Sequence, residues 1–458
     1  MIYFESRVSE HKADGATRLL LLDRLQEMGF VPLIRSARAR CFEVALSGPT
    51  RVREMERAIA AWMEAERGEP YVRGDLFFLR DAVLFLIFGP EGRDAGTKAG
   101  VVYTNASTEQ SVALDDFCQK IDEALDNMRQ ASGAPLVEAS GWRRIEPRFG
   151  RGWERFVERA EASRIRLSGM PLQATDLLAD EETRRLLRRM REVQAEGPAA
   201  APLGDRVDEN LLGRLTEAGL LRREVAVVCR REGRALFRLP SPEALELILT
   251  SNAVCSECGA AVADEKVEER VALTDQARNL LDGGAWLAVR ARLLLHELGV
   301  RDEQTAIMLT PEGDALAMVG VHAELFLLHL HDGDFTLAHA RRTLDLAIEH
   351  EAMHLVVVST GKISGEARSK LRDYARRQAA GEVVLVEGLE SAPAELRHAF
   401  DRAAQRALVA ELSELDGSLG LSVGQLIWTR FRMTQRVGAL RDATESALGA
   451  VAGKLRDL

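Results

Sequence analysis

The stretch Glu324-Leu-Phe-Leu-Leu-His-Leu-His331 is an apolar run of strand length, and together with the segments downstream of it decides the fold. Leu337, Ala340, Leu344 and Ala347 or Ile348 recur at the three- to four-residue spacing of an amphipathic helix. Leu355-Val-Val-Val-Ser359 reads as a second strand and Ser364–Arg377 as a basic helix. Val383–Val386 reads as a third strand, ending in Glu387-Gly388. Strands this uniformly apolar, alternating with helices, imply a parallel sheet section covered by helices. Upstream, Gly283-Gly-Ala-Trp-Leu-Ala288 opens a helix that runs to Leu298-Gly299, and Val319-Gly-Val-His-Ala323 is a turn between apolar strands.

Residues 281 to 390, read in this order, resemble the PD-(D/E)xK restriction-endonuclease-like superfamily, especially the branch that includes the CRISPR-ancillary nucleases. Trp286-Leu287 matches its helix motif, Glu312-Gly313-Asp314 its acidic strand motif, and Val356-Val-Val-Ser-Thr-Gly361 its later strand. The resemblance implies a Mg²⁺ or Mn²⁺ ion held by two carboxylates, with a lysine to hold or deprotonate the attacking water. The chain departs from that pattern. Ala288 stands where the helix motif has Glu, and His329 and His331 stand where the strand motif has Glu and Lys. Only Asp314 of the set remains, and one carboxylate holds a hard ion poorly. The resemblance therefore implies a retired nuclease fold kept for DNA, RNA or protein contacts. A second reading keeps an active nuclease, with Asp314, His329 and His331 around Mn²⁺ or Zn²⁺. A third rests on His350-Glu-Ala-Met-His354, an HExxH pattern whose histidines, if helical, face one way to hold the zinc of a protease. Against it, the strand-like run Leu355–Ser359 begins where a protease helix continues.

A second resemblance lies upstream. Asn210–Leu221 is a short helix ending at Gly219 that leads into the strand Val225–Cys229, and Leu273–Leu281 is similar to the helix that comes after a wing in winged-helix domains. Such domains bind DNA or serve protein contacts. Between these landmarks, Cys255-Ser-Glu-Cys258-Gly259 has the form of a zinc knuckle, and Cys229-Arg-Arg-Glu232-Gly233 repeats it with Glu at the second ligand position. Cys229, Glu232, Cys255 and Cys258 are thus the expected ligands of a structural Zn²⁺ in a zinc-ribbon-like insertion. Five cysteines in all are too few for a disulfide framework in a chain of 458 residues.

The length suggests roughly three folded units, and 46% hydrophobic residues exclude a disordered or mucin-like chain. No apolar run nears the roughly 18 residues of a membrane span, and the start lacks the pattern of a signal peptide. The expectation is a cytoplasmic protein with no membrane contact. A net charge of −10 argues against a uniformly basic surface. Contact with DNA or RNA must come from local clusters: Arg143, Arg144 and Arg148; Arg184, Arg185 and Arg188; or Arg222, Arg223, Arg230 and Arg231.

The expected fold class is mixed α/β and α+β in several domains. Residues 1–135 are an α+β recognition or assembly domain, with helices at Leu19–Met28, Arg51–Glu66 and Ala113–Met128 and strands at Phe30–Ile34, Cys41–Leu46 and within Leu76–Gly89. After it come a helical connector (136–204), the winged helix with zinc ribbon (205–281), the restriction-endonuclease-like core (282–390) and a helical tail (391–458). In the tail, Leu426, Met433 and Leu440 recur every seven residues, which suits a homo-oligomer seam or a core-facing helix. The expected function is a non-catalytic nucleic-acid-binding or scaffold subunit working beside a protein partner, in antiviral defence or DNA repair.

Overall fold

The structure, a computed structural model, describes residues 2–11, 13–46, 49–67, 70–89, 96–104, 108–132, 141–145, 149–167, 172–195, 208–239, 242–249, 253–378, 381–419 and 422–433. It is mixed α/β with several sheets and divides into two compact units, Met1–Arg148 with Arg397–Leu458, and Phe149–Leu396. Among the described residues no helix is long and apolar enough to cross a membrane.

The first unit is built on an antiparallel sheet in the order Gly74–Phe78, Ala82–Phe88, Thr97–Tyr103, Tyr3–Ser9, Arg143–Arg144. Alternate residues of a strand face opposite sides, and Ala82–Phe88 is apolar throughout because both sides are covered. Leu84, Leu86 and Phe88 join a core with Leu21, Leu22 and Leu25 of the helix Gly15–Glu27 and Phe117 and Ile121 of Thr108–Ser132. Val83, Phe85 and Ile87 join another with Leu408, Leu412, Leu415, Ile427 and Trp428. The carboxy-terminal helices, which the sequence sets apart as a tail, therefore contribute to this unit's core. Leu426 and Met433 point to solvent, and Leu440 lies outside the described residues.

The strands expected at Phe30–Ile34 and Cys41–Leu46 are corrected. Apart from a single bridge at Pro32, this segment is the helix Leu33–Leu46. Asp75, on the first strand of the sheet, explains the change. Its buried carboxylate accepts the backbone N–H groups of Ile34 (2.7 Å) and Arg35 (2.9 Å), which are unpaired donors of the first helical turn. No local sequence pattern announces a cap supplied from forty residues away.

The second unit carries a five-stranded sheet in the order Val383–Glu387, His354–Ser359, Glu324–His331, Ala315–Val321, Thr305–Leu309. The last three form an antiparallel meander, whereas His354–Ser359 and Val383–Glu387 run parallel to Glu324–His331. The helices Leu337–Glu349 and Gly365–Arg377 make the crossovers, and Ala285–Glu297 precedes the meander. A smaller antiparallel sheet, Ala235–Leu239, Leu221–Val228, Lys266–Leu273, lies between the helices Glu209–Glu217 and Asp275–Leu281 in the chain.

Gly284 fixes where the helix Ala285–Glu297 meets the turn before Asp314. Its φ is +72°, and a Cβ placed there would overlap the Gly313 carbonyl oxygen. Gly284→Ala is therefore expected to destabilise the protein by about 1–3 kcal/mol, read as a lower urea midpoint, whereas Gly365→Ala, with no atom near its Cβ position, is expected to change it little.

Candidate functional site

Cys229, Cys255, Cys258 and Glu265 are positioned to bind a metal: one ligand atom from each lies within 4.8 Å of all the others. Two matching turns build the site. Cys229 accepts Gly233 N–H (2.8 Å) and Cys255 accepts Gly259 N–H (2.9 Å), each on its carbonyl, and both glycines have positive φ (+68° and +73°). A non-glycine residue is strained in that conformation, so the glycines let both loops close around one point. The expected ligand Glu232 is corrected to Glu265. Glu232 is exposed, and its role in the turn is to donate its backbone N–H to Cys229 Sγ (3.5 Å). Glu265, 4% exposed, lies just before the strand Lys266–Leu273 and puts Oε1 3.0 Å from Cys258 Sγ.

The donor set fits zinc in kind and in spacing. A tetrahedron with Zn–S of about 2.3 Å and Zn–O of about 2.0–2.2 Å has edges of roughly 3.3–3.8 Å, so the gathered atoms, with one pair at 3.0 Å and all within 4.8 Å of one another, need only small shifts. The Glu232 N–H, aimed at the sulfur, holds the Cys229 thiol below its ordinary pKa, which favours the thiolate that metals bind.

The structure also brings Asp314, His329 and His331 together. Glu324–His331 pairs with Ala315–Val321 so that His329 stands opposite Leu316. His329 and His331, two apart, project from the same face toward Asp314 at the mouth of the neighbouring strand. His329 Nε2 is 2.9 Å from Asp314 Oδ2, and His331 Nδ1 is 2.6 Å from Oδ1. His329 Nδ1 lies 2.6 Å from Thr343 Oγ1, and that hydroxyl donates to the His339 carbonyl (2.7 Å). The Asp314 carboxylate can only accept, so His329 Nε2 carries a hydrogen toward it, and Nδ1 shares a second hydrogen bond with the Thr343 hydroxyl. Burial alone would raise the Asp314 pKa, but hydrogen bonds from the two histidines prevail and hold it well below the usual carboxylate range.

The site is closed. Asp314 is 3% exposed and His329 fully buried. Next to it, Asp332 pairs with Arg184 (3.3 Å) and Arg188, and the Arg184 guanidinium lies over the Trp286 ring at 4.8 Å. The Mg²⁺ chemistry implied by the nuclease resemblance does not fit these groups. A hard ion requires oxygen ligands, and each Asp314 oxygen already takes an imidazole N–H.

The HExxH reading is corrected. The helix ends at Glu349; His350 caps it, Glu351 has φ +54°, and His354 belongs to a strand. The two histidines are thus never one helical turn apart on one face. His350 Nδ1 instead faces the Gly152 carbonyl (3.3 Å), while His354 stacks on Phe326 and sits 2.8 Å from Glu324.

Several of the arginines singled out from the sequence have an acidic partner, although their side chains stay exposed. Arg222 pairs with Glu224, Arg223 with Glu269 at 4.0 Å, Arg143 with Glu10 and Arg144 with Glu5. Arg148 lies outside the described residues. Arg230 and Arg231 are exposed in the turn after Cys229.

No family model, curated protein or solved structure matches this chain.

Proposed function

We propose that this chain is a non-catalytic, nucleic-acid-binding or scaffold subunit whose nuclease-like domain has lost its metal chemistry and whose smaller sheet is fastened by a structural Zn²⁺. The observation that carries the reading is the state of Asp314. The carboxylate at the place of a PD-(D/E)xK metal ligand is buried, with both oxygens engaged by His329 and His331. The order of helix, antiparallel meander and parallel crossover supports the likeness to that superfamily. Cys229, Cys255, Cys258 and Glu265 would hold the zinc, which supplies cross-linking and no open coordination position. Nucleic-acid contact falls first to Arg230 and Arg231, exposed in the turn after Cys229.

The purified chain is expected to leave single- and double-stranded DNA and RNA intact with Mg²⁺ or Mn²⁺, while binding a labelled DNA duplex at low salt. Cleavage that disappears in Asp314→Ala overturns the non-catalytic reading, and no binding of any nucleic acid at low salt overturns the nucleic-acid part.

A further inference from the structure

We propose that Glu265 acts with both carboxylate oxygens: Oε1 completes the metal site and Oε2 holds the backbone of Arg230, so that metal binding sets the turn that presents Arg230 and Arg231 to a nucleic-acid backbone. The presentation step rests on the function proposed above; the clamp rests on the geometry alone.

Glu265 Oε1 is 3.0 Å from Cys258 Sγ, inside the group of ligand atoms. Glu265 Oε2 accepts the Arg230 N–H at 2.5 Å. A carboxylate that binds metal through one oxygen keeps the other for an outer hydrogen bond, and such partners orient the ligand. Here the partner is the next residue after another ligand, Cys229. The turn is therefore held at three points: by Cys229 itself, by the Glu232 N–H on its sulfur, and by Glu265 on the Arg230 N–H. The Cys229 N–H also donates to the Arg234 carbonyl at 2.8 Å, which closes its base.

Residues 230–234 are largely exposed, so packing does little to order the turn. A bound cation is the one centre that would tie Glu265 to Cys229, Cys255 and Cys258 together. Without it Glu265 loses that anchor, and its hold on the Arg230 N–H rests on one hydrogen bond beside an exposed turn. With the cation bound, the same groups attract it and the turn is fixed. Arg234 pairs with Glu257, which leaves Arg230 and Arg231 as the cations that the fixed turn offers outward. A phosphate backbone is the partner chemistry that two adjacent guanidinium groups fit.

The test uses the full chain loaded with Zn²⁺ or Co²⁺. Amide exchange at Arg230 is monitored by NMR or mass spectrometry, with Ala317–Val319 of the larger sheet as internal reference, alongside binding to a labelled DNA duplex at low salt. Chelating the metal from the wild type is expected to speed Arg230 exchange by about tenfold or more, the equivalent of one charge-assisted hydrogen bond, and to weaken duplex binding. Glu265→Cys separates the two roles. It supplies a fourth thiolate, so metal stays bound and the sulfur-to-cobalt absorption grows, yet it offers no oxygen to Arg230. Fast Arg230 exchange in that metal-loaded variant supports the clamp; wild-type exchange overturns it. Arg230→Glu with Arg231→Glu is expected to keep the metal and lose duplex binding. Unchanged binding overturns the presentation step, while the exchange result still decides the clamp. Neither result depends on whether the chain cleaves nucleic acid.

Discussion

Asp314→Ala is expected to lower the stability of the unit holding the larger sheet by about 2–5 kcal/mol at neutral pH, because it removes the buried acceptor that both His329 and His331 bond and leaves their ring N–H groups unsatisfied. Denaturant unfolding monitored by tryptophan fluorescence would read this, since Trp286 lies in that unit. The paired change Asp314→Leu with His329→Leu removes the carboxylate together with the fully buried ring that bonds it, leaving only the partly exposed His331 without its partner, and is expected to recover part of the loss. The effect has a defined pH sense. The native carboxyl is held below its ordinary value, so the unfolded chain takes up the proton first as pH falls. The contribution is complete above about pH 4 and is lost as pH drops further toward the depressed native value. A loss below about 1 kcal/mol in Asp314→Ala would mean that the aspartate–histidine hydrogen bonds carry none of the weight assigned to a buried, satisfied acceptor.

The other large effect is expected at the cysteine cluster. Cys255→Ser should reduce zinc from about one ion per chain to near zero, because it removes one of two thiolates contributed by that knuckle. The binding energy of a structural zinc is folding energy, about 10–16 kcal/mol in small zinc domains. Among the described residues from Cys229 to Glu265 burial is slight: Ala235–Leu239, paired on one edge with Leu221–Val228, is only half buried, and Cys255 and Val262 supply the buried positions between residues 253 and 264. The variant, or the wild type with a chelator, should lose amide protection across this segment while the larger sheet keeps its own. Full zinc content in Cys255→Ser, or unchanged protection without metal, would refute the assignment.

The two loops declare themselves in the amino-acid sequence because each sets a cysteine four residues before a glycine that closes the turn, and that requirement is local, although Glu232, the second donor expected of the first loop, is not at the site. The fourth candidate ligand is not local. Glu265 sits just before the strand Lys266–Leu273, which pairs with the strand that ends beside Cys229, and nothing around it distinguishes it from other acidic residues. Asp314, His329 and His331 could be associated because strand alternation puts two of them on one face, yet their mutual hydrogen bonding depends on register and burial. The HExxH pattern misled because it spans a helix end and a strand start, so its spacing has no helical meaning. Leu33–Leu46 misled because Phe42, Val44 and Cys41 suit a strand, while the carboxylate that caps the helix belongs to Asp75. Arginine runs are visible in any sequence, but whether Arg222 or Arg230 faces a glutamate is settled only by tertiary structure.

The first unit is assembled from both ends of the chain, and this has a consequence for biosynthesis. The sheet residues Val83, Phe85 and Ile87 leave the ribosome early, whereas Leu408, Leu412 and Ile427, which bury that face, emerge about 300 residues later. At roughly 5–20 residues per second, the nascent sheet waits about 15–60 s with one oily face uncovered. The second unit, contiguous from Phe149 to Leu396, can complete its fold during that interval. A nascent chain in this condition is a natural client for a chaperone that shields apolar surface, and slow translation or premature termination before Arg397 would leave it sticky rather than merely incomplete.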